Sequence, residues 1–377
     1  MARPSARAPI LQEIEAVPEA DRLEGFPHPR ETKQLFGHEA AEATFAQAFS
    51  SGRVHHGWLL AGREGIGKAT LAYRMARFAL ARPDERGKGE GPLDIADGTT
   101  ASRQVLALSH PGLMVIRRPW DPKLKRFITA IPVDEVRRIK SFFAHSAGPD
   151  SWRVVIVDQA DELNVNAANA LLKSLEEPPP RALFFLVTSE PGRLLTTIRS
   201  RCRRLELAAL GDADLKRAAQ GALAGSEAAA IDEKQWPALI EFAQGSVRRL
   251  LALSRSEGVS VHTKLKAVIG SLPKLDWPQV HALADEATGS GAEQRFEQLF
   301  ELLSDTIARL VRTRAIGAGT PDDQRLAGRL IPEHALATWA ELWETINVKK
   351  AETLGLNLDR KTLILETFAR MQAAAKG

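Results

Sequence analysis

The sequence contains a single cysteine, Cys202, in 377 residues. That excludes an internal disulfide and a Cys-based zinc site. No apolar run reaches the length needed to cross a bilayer, so a transmembrane helix is not expected. The opening Met1-Ala2-Arg3-Pro4 lacks the apolar core of a secretory signal, and an intracellular chain is expected. Neither sign of charge dominates. The net charge is +4 and the pI about 9.2, which suits a nucleic-acid partner without requiring one. There is no repeat and no low-complexity tract. The remainder is ordinary globular composition, 44% hydrophobic and 26% charged, long enough for two or three domains.

Residues 1–30 mix Pro, Ala and charges without periodicity and are expected to form a disordered or loosely packed tail. Ala41, Phe45 and Phe49 then recur every four residues, as on one helix face. His56–Ala61 predicts a short buried strand, and 69–81 a helix that Pro83 stops. Residues 84–102 are rich in Gly, Asp, Lys and Thr and predict a loop. Strands are expected over 113–117, 153–158 and 183–188, and a helix over 133–143. Asn164 is a helix cap, with Val165, Ala168, Leu172 and Leu175 as the apolar positions behind it. Beyond Leu207 the strand signals fade and helical patterns take over, among them Phe296, Leu299, Leu303, Ile307 and Leu310. Strands alternating with helices, followed by helices alone, predict an α/β nucleotide-binding domain joined to α-helical domains.

The strongest motif is Gly62-Arg63-Glu64-Gly65-Ile66-Gly67-Lys68, between a predicted strand and a predicted helix. Glycines at 62, 65 and 67 let backbone N–H groups converge, the helix N-terminus adds partial positive charge, and Lys68 supplies a point charge for outer phosphates. The alternative is a glycine-rich strand–helix turn with no ligand. The next residue is Ala69, where a phosphate loop needs a hydroxyl for Mg²⁺; Thr70 comes one residue later, rotated by roughly 100°. Asp158 ends the acidic strand where a metal-ordering acid belongs. Gln159 follows, where a hydrolase would carry a carboxylate, and Gln is a poor proton acceptor at neutral pH. Two separate parts of a hydrolytic site are therefore altered.

These segments, together with Asn169-Ala170-Leu171-Leu172-Lys173-Ser174-Leu175-Glu176-Glu177-Pro178-Pro179, Leu186-Val187-Thr188-Ser189 and Ile198-Arg199-Ser200-Arg201-Cys202, resemble the AAA+ clamp loaders in order and spacing. The resemblance covers residues 31–255 well. It implies an AAA+ P-loop module, a parallel sheet flanked by helices, over 31–208, a helical lid over 209–255 and a helical C-terminal collar over 256–377. Motor subunits of the gamma/tau type keep the hydroxyl and the second carboxylate, whereas the delta-prime branch often does not. Ala69 and Gln159 place the chain with that branch. Many relatives carry a four-cysteine zinc module after the phosphate-loop helix; residues 84–110 hold no cysteine, so no zinc is expected.

By the same resemblance Arg201 would be an arginine finger acting in trans on a neighbour's ATP, a role suited to a planar, permanently charged fork. A solvated surface arginine is the alternative. Thr188 matches a γ-phosphate sensor, or simply ends a strand. Arg248, in Gly245-Ser246-Val247-Arg248-Arg249, matches a second sensor, or is a helix-surface arginine. Arg137, Arg138 and Lys140 share the polar side of a helix; a solvated face is the plainer reading, and phosphate contacts with DNA the other. Glu176-Glu177 and His55-His56 read as structural. No metal ligand set is expected, and no cofactor is required, ATP or ADP being held weakly without hydrolysis. The implied partners are gamma/tau-type motor subunits and a delta subunit, with the sliding clamp and primer–template DNA reached through the complex. The implied place is the bacterial cytoplasm, at the replisome. Two rivals remain at this point: an active ATPase in which Thr70 replaces the missing hydroxyl, and a nucleotide-regulated scaffold outside replication.

Overall fold

A computed structural model describes residues 17–376 except 90, 97, 145–150, 227–229, 256–257, 290–292, 318 and 357. The chain divides into two compact units, one ending at Leu251 and one beginning at Ala252. In the first, α1 is Glu39–Ser50, β1 Gly57–Ala61, α2 Lys68–Leu80 and α3 Thr100–Leu106. These are followed by β2 Leu113–Ile116, β3 Trp120–Asp121, β4 Arg126–Phe127, α4 Val133–Ala144 and β5 Arg153–Val157. The rest of the unit is α5 Val165–Glu176, β6 Ala182–Thr188, α6 Thr196–Ser200, β7 Arg203–Glu206, α7 Asp212–Ala224, α8 Trp236–Ala243 and the start of α9 Val247–Arg255.

Five strands form a parallel sheet in the order β2-β5-β6-β1-β7. Its central strands are covered on both faces, which is why β5 and β6 read as near-continuous apolar runs. One layer packs Phe45, Leu71, Met75 and Phe78 of α1 and α2 against Trp58, Ile156 and Phe185. The other packs Val136 and Ile139 of α4 and Leu171 and Leu175 of α5 against Val155, Val157 and Phe184. Each such side chain contributes roughly 1.5–3 kcal/mol by leaving water. Parallel order brings all five C-terminal strand ends to one edge, and β1 and β5 deliver the phosphate loop and Asp158 there.

Several expectations need correction. Residues 1–16 lie outside the described residues, but from 17 onward the chain is no loose tail. Phe26 and His28 are 3% and 0% exposed. Glu19 and Asp21 bind Arg117, and Glu19 also binds Arg30. Ion pairs, rather than an apolar period, hold this strap, so periodicity could not reveal it. Asn164 does cap α5, accepting from the Ala167 N–H at 2.8 Å. Its buried face is Ala167, Ala168, Leu171 and Leu175, however, and Val165 is 70% exposed. Four short elements were not foreseen: α3, the β3–β4 hairpin, α6 and edge strand β7. The 84–102 loop is held by Arg86, which donates to the carbonyls of Phe78, Ala79 and Ala81 at the end of α2, and by the Arg74–Asp94 ion pair.

The second unit is helical: the end of α9, α10 Gly258–Ser271, α11 Trp277–Thr288, α12 Glu293–Ile316, α13 Pro321–Leu330, α14 Leu336–Leu356 and α15 Arg360–Lys376. Phe296, Leu299, Leu303, Ile307 and Leu310 are buried on α12 as expected. Ile364, Phe368 and Met371 of α15 are buried where α15 meets α11 and α14. Among the described residues no helix is long and apolar enough to cross a membrane.

Candidate functional site

The phosphate loop spans Gly62–Gly67, between the end of β1 and the start of α2. Two of its glycines are required by geometry. Gly62 has φ +151°, and a Cβ there would lie 2.4 Å from the Leu207 carbonyl oxygen. Gly65 has φ +75°, and a Cβ there would lie 2.6 Å from the Cβ of Arg248. Only a residue without a side chain fits either position.

Lys68 is turned back onto its own loop. Its Nζ donates to the Gly62 carbonyl at 2.8 Å and to Ser189 Oγ at 3.0 Å, and also reaches the Arg63 carbonyl. Burial pulls its pKa down to about 8, against the attraction of Glu64 and Asp158. Ala69 offers no hydroxyl. Thr70, expected to be rotated away, is buried and lines the same cavity as Lys68.

Asp158 is buried just past β5. Burial pushes its carboxyl up to about 7, and the negative charge of Asp21 adds to the effect. Asp21 comes from the strap. Burial raises its pKa, but His28, whose Nε2 is 2.9 Å away, and Arg117 at 2.7 Å outweigh that and hold it below the ordinary value. Gln159 sits at φ +55°, and with its amide oxygen and nitrogen exchanged it donates to the Glu162 carboxylate at 2.8 Å. A divalent cation fits this donor set poorly, because position 69 brings no oxygen. Among the described residues no group of three or more His, Cys, Asp or Glu side chains could hold a metal ion.

The lid closes the site from the other side. The N–H groups of Val247 and Arg248, at the start of α9, donate to the Gly65 carbonyl at 2.8 and 3.3 Å. Arg248 Nε lies 3.4 Å from Glu64, and Arg63 donates to the Gln244 side chain at 2.9 Å. Loop and lid therefore bind each other directly. The cavity between them encloses about 170 Å³, below the roughly 300–1,000 Å³ of small-molecule sites. Its walls include apolar Leu35, Phe36 and Leu210.

Arg201 lies at the opposite end of β1. A Cβ on Gly57, the first residue of β1, would be 3.1 Å from the Arg201 carbonyl oxygen. The chain's own phosphate loop follows the last residue of that strand, about 16 Å further on at the rise of a β-strand. The Arg201 side chain is 37% exposed, donating to the Thr197 carbonyl at 3.0 Å and pairing with Glu176 at 2.8 Å.

A family model described as DNA polymerase III, delta subunit, matches residues 37–211. The DNA polymerase III subunit delta-prime of Pseudomonas aeruginosa is 33% identical over 243 residues, 64% of this chain and 67% of that one. The delta-prime subunit of Escherichia coli is 30% identical over 264 residues, 70% and 72% of the two chains. The chain belongs to the DNA polymerase III delta-prime family. The tau subunit of Escherichia coli is 26% identical over 298 residues, 76% of this chain and 42% of tau. This delta-prime family member thus also shares sequence with clamp-loader subunits of the gamma/tau kind.

Within this clamp-loader chain the structure gathers Gly62, Gly65, Gly67, Lys68, Ala69, Thr70, Asp158, Gln159 and Arg248 around one region and leaves Arg201 apart. Thr188 is fully buried, its hydroxyl has no partner among the described residues, and it does not line the cavity. Its neighbour Ser189 is the residue that meets Lys68. Ser189, Glu64 and Asp21 were missed in the sequence. The first was legible in principle, since the residue just past a parallel strand faces the loop edge; Asp21 was not, being far away in a segment without pattern. Arg137 and Arg138 bind Asp134 and Glu135 of their own helix at 3.0 and 2.6 Å. Burial pushes the pKa of the Cys202 thiol up to about 12.

Proposed function

We propose that the chain is a non-hydrolysing stator of a clamp loader: beside gamma/tau-type motor subunits and a delta subunit, it places Arg201 against the ATP held by a neighbour. The observation that carries this is the placement of Arg201. It stands one full strand length from the chain's own phosphate loop and is partly open to solvent, so any phosphate it meets belongs to another subunit. Its guanidinium is held by one carbonyl and one exposed carboxylate, contacts weak enough to exchange for a γ-phosphate. The chain's own loop supports the complementary half of the reading. Lys68 is bonded to loop carbonyls, burial raises the pKa of Asp158, and Gln159 is engaged by Glu162. Nucleotide binding there is weak and leads to no turnover. The complex would act on a sliding clamp and primed DNA, in the cytoplasm.

The test is steady-state ATP hydrolysis by a complex reconstituted with wild-type chain, Arg201→Ala or Lys68→Ala. The stator reading expects only Arg201→Ala to slow DNA-stimulated turnover. One observation favours a second reading, an active motor: Thr70 lines the same cavity as Lys68. ATP hydrolysis by the purified chain that Thr70→Ala abolishes would establish it.

A further inference from the structure

The β3–β4 hairpin takes no part in either site, yet its charge is strongly one-sided. Residues 117–128 carry Arg117, Arg118, Lys123, Lys125 and Arg126 against a single acid, Asp121. That excess of four equals the net charge of the whole protein. The two arginines at its base are used internally, Arg117 by Glu19 and Asp21 and Arg118 by Glu162. They anchor the ribbon to the strap and to the turn after β5. The ribbon is stiffened by an edge-to-face contact of Trp120 and Phe127 at 5.0 Å and by the Ile128 N–H donating to the Pro119 carbonyl at 3.0 Å. The Asp121 carboxylate is consumed by the turn, accepting the N–H groups of Lys123 and Leu124 at 2.8 and 3.1 Å. Lys123, Lys125 and Arg126 are exposed, and their side chains form no ion pair among the described residues.

We infer that this hairpin is a finger that grips the phosphate backbone of duplex DNA through Lys123, Lys125 and Arg126, without reading bases. Cations held at the tip of a stiff ribbon suit a regular line of phosphates, and such contacts position a protein without carrying sequence information. A protein partner fits less well. It would need an apolar centre to bury, and the ribbon exposes only Leu124 and Ile128. The hairpin is also better equipped than the α4 face, where Arg137 and Arg138 are tied to acids of their own helix. The inference rests on the clamp-loader reading for its partner, and on the hairpin alone for its chemistry.

The experiment is fluorescence anisotropy of a labelled primed-template oligonucleotide, titrated with the assembled complex over a series of NaCl concentrations. The complex carries wild-type chain or the triple variant Lys123→Ala, Lys125→Ala, Arg126→Ala. Each lost phosphate contact lowers the slope of log K against log[salt] by about 0.9, so the triple variant loses about 2 to 3 and Lys125→Ala alone about 1. Arginine at 123 and 125 keeps the wild-type slope. An unchanged slope in the triple variant overturns the inference. So does a triple variant that melts normally but drops out of the complex on gel filtration, because the finger is then a protein contact. If the wild-type chain itself fails to join motor and delta subunits, the clamp-loader reading falls instead. The same titrations on the chain alone then decide the finger.

Discussion

At the C-terminal end of β1, the groups a nucleotide would use are already engaged from within: Lys68 by loop carbonyls and Ser189, the Gly65 carbonyl by the lid, Gln159 by Glu162. At the N-terminal end of the same strand, Arg201 keeps a third of its side chain in solvent and holds only replaceable partners. A single five-residue strand thus separates a site that looks inward from one that looks outward. In the stator reading the first end turns over no ATP, so the lid has no need to move. A fixed lid and loop in turn give the second end a rigid base, and rigid support is what positions a charged fork to the tolerance catalysis requires.

The largest effect expected from this contrast falls on the outward end. Arg201→Ala should reduce hydrolysis at the one neighbouring site it completes by roughly 10³-fold, the scale of a lost arginine finger. Lys in its place should rescue little, since a point charge lacks the fork. Phosphate release by the reconstituted complex measures both. Equal loss when Arg201 and Glu176 are exchanged for each other's type, with assembly impaired, would mean that the arginine only braces its own subunit.

The next effect tests whether the inward end is locked. Gly65→Ala must hold φ +75° and collide with Arg248, a strain of roughly 1–3 kcal/mol. The lid should detach while the sheet stays folded. Native-state hydrogen exchange should then speed up at Val247 and Arg248, whose N–H groups bond to Gly65, and leave β5 and β6 protected. Exchange that rises equally everywhere would show that the lid is not a separate latch.

A pH-dependent effect follows from Asp158. Its folded pKa of about 7 lies above the ordinary 3.8, so the folded chain holds this proton more tightly than the unfolded one. Stability therefore falls as pH rises from about 4 to about 7. Asp158→Asn removes that penalty. Its melting temperature should exceed the wild-type value at pH 8 by roughly 10 °C, and the gain should vanish near pH 4, since about three pK units correspond to roughly 4 kcal/mol and 1 kcal/mol to roughly 2–4 °C in a domain of this size. A gain independent of pH would assign the effect to packing.

How much of this could be read from residues alone depends on the distance over which each feature is determined. Strands β1, β5 and β6 were legible because burial on both faces leaves uninterrupted apolar runs. The phosphate loop was legible because backbone geometry demands glycine at fixed intervals. The strap was not legible: Asp21 and Arg117 meet across 96 residues, and neither sits in a pattern. Val165 was misplaced by the same limit, since the α5 spacing suits a buried face starting at 165 or at 167, and only packing against the sheet selects the second. That Lys68 is folded back onto its own loop was also beyond reach, because the motif specifies which groups are present and not what they bind in the absence of phosphate.

The smallest expected effect on turnover is the most informative about the inward end. If Lys68 is a staple of its own loop, Lys68→Ala should leave ATP hydrolysis by the complex unchanged to within about twofold. It should still lower the stability of the chain. The Gly62 carbonyl and Ser189 hydroxyl lose their donor in a half-buried place, a cost of roughly 1 kcal/mol. A working nucleotide site predicts the reverse pattern: turnover falls steeply, while relief of a desolvated cation leaves the melting temperature level or higher. Turnover and melting therefore move in opposite directions under the two roles, and measuring both on one variant separates a lysine that holds a loop closed from one that holds a phosphate.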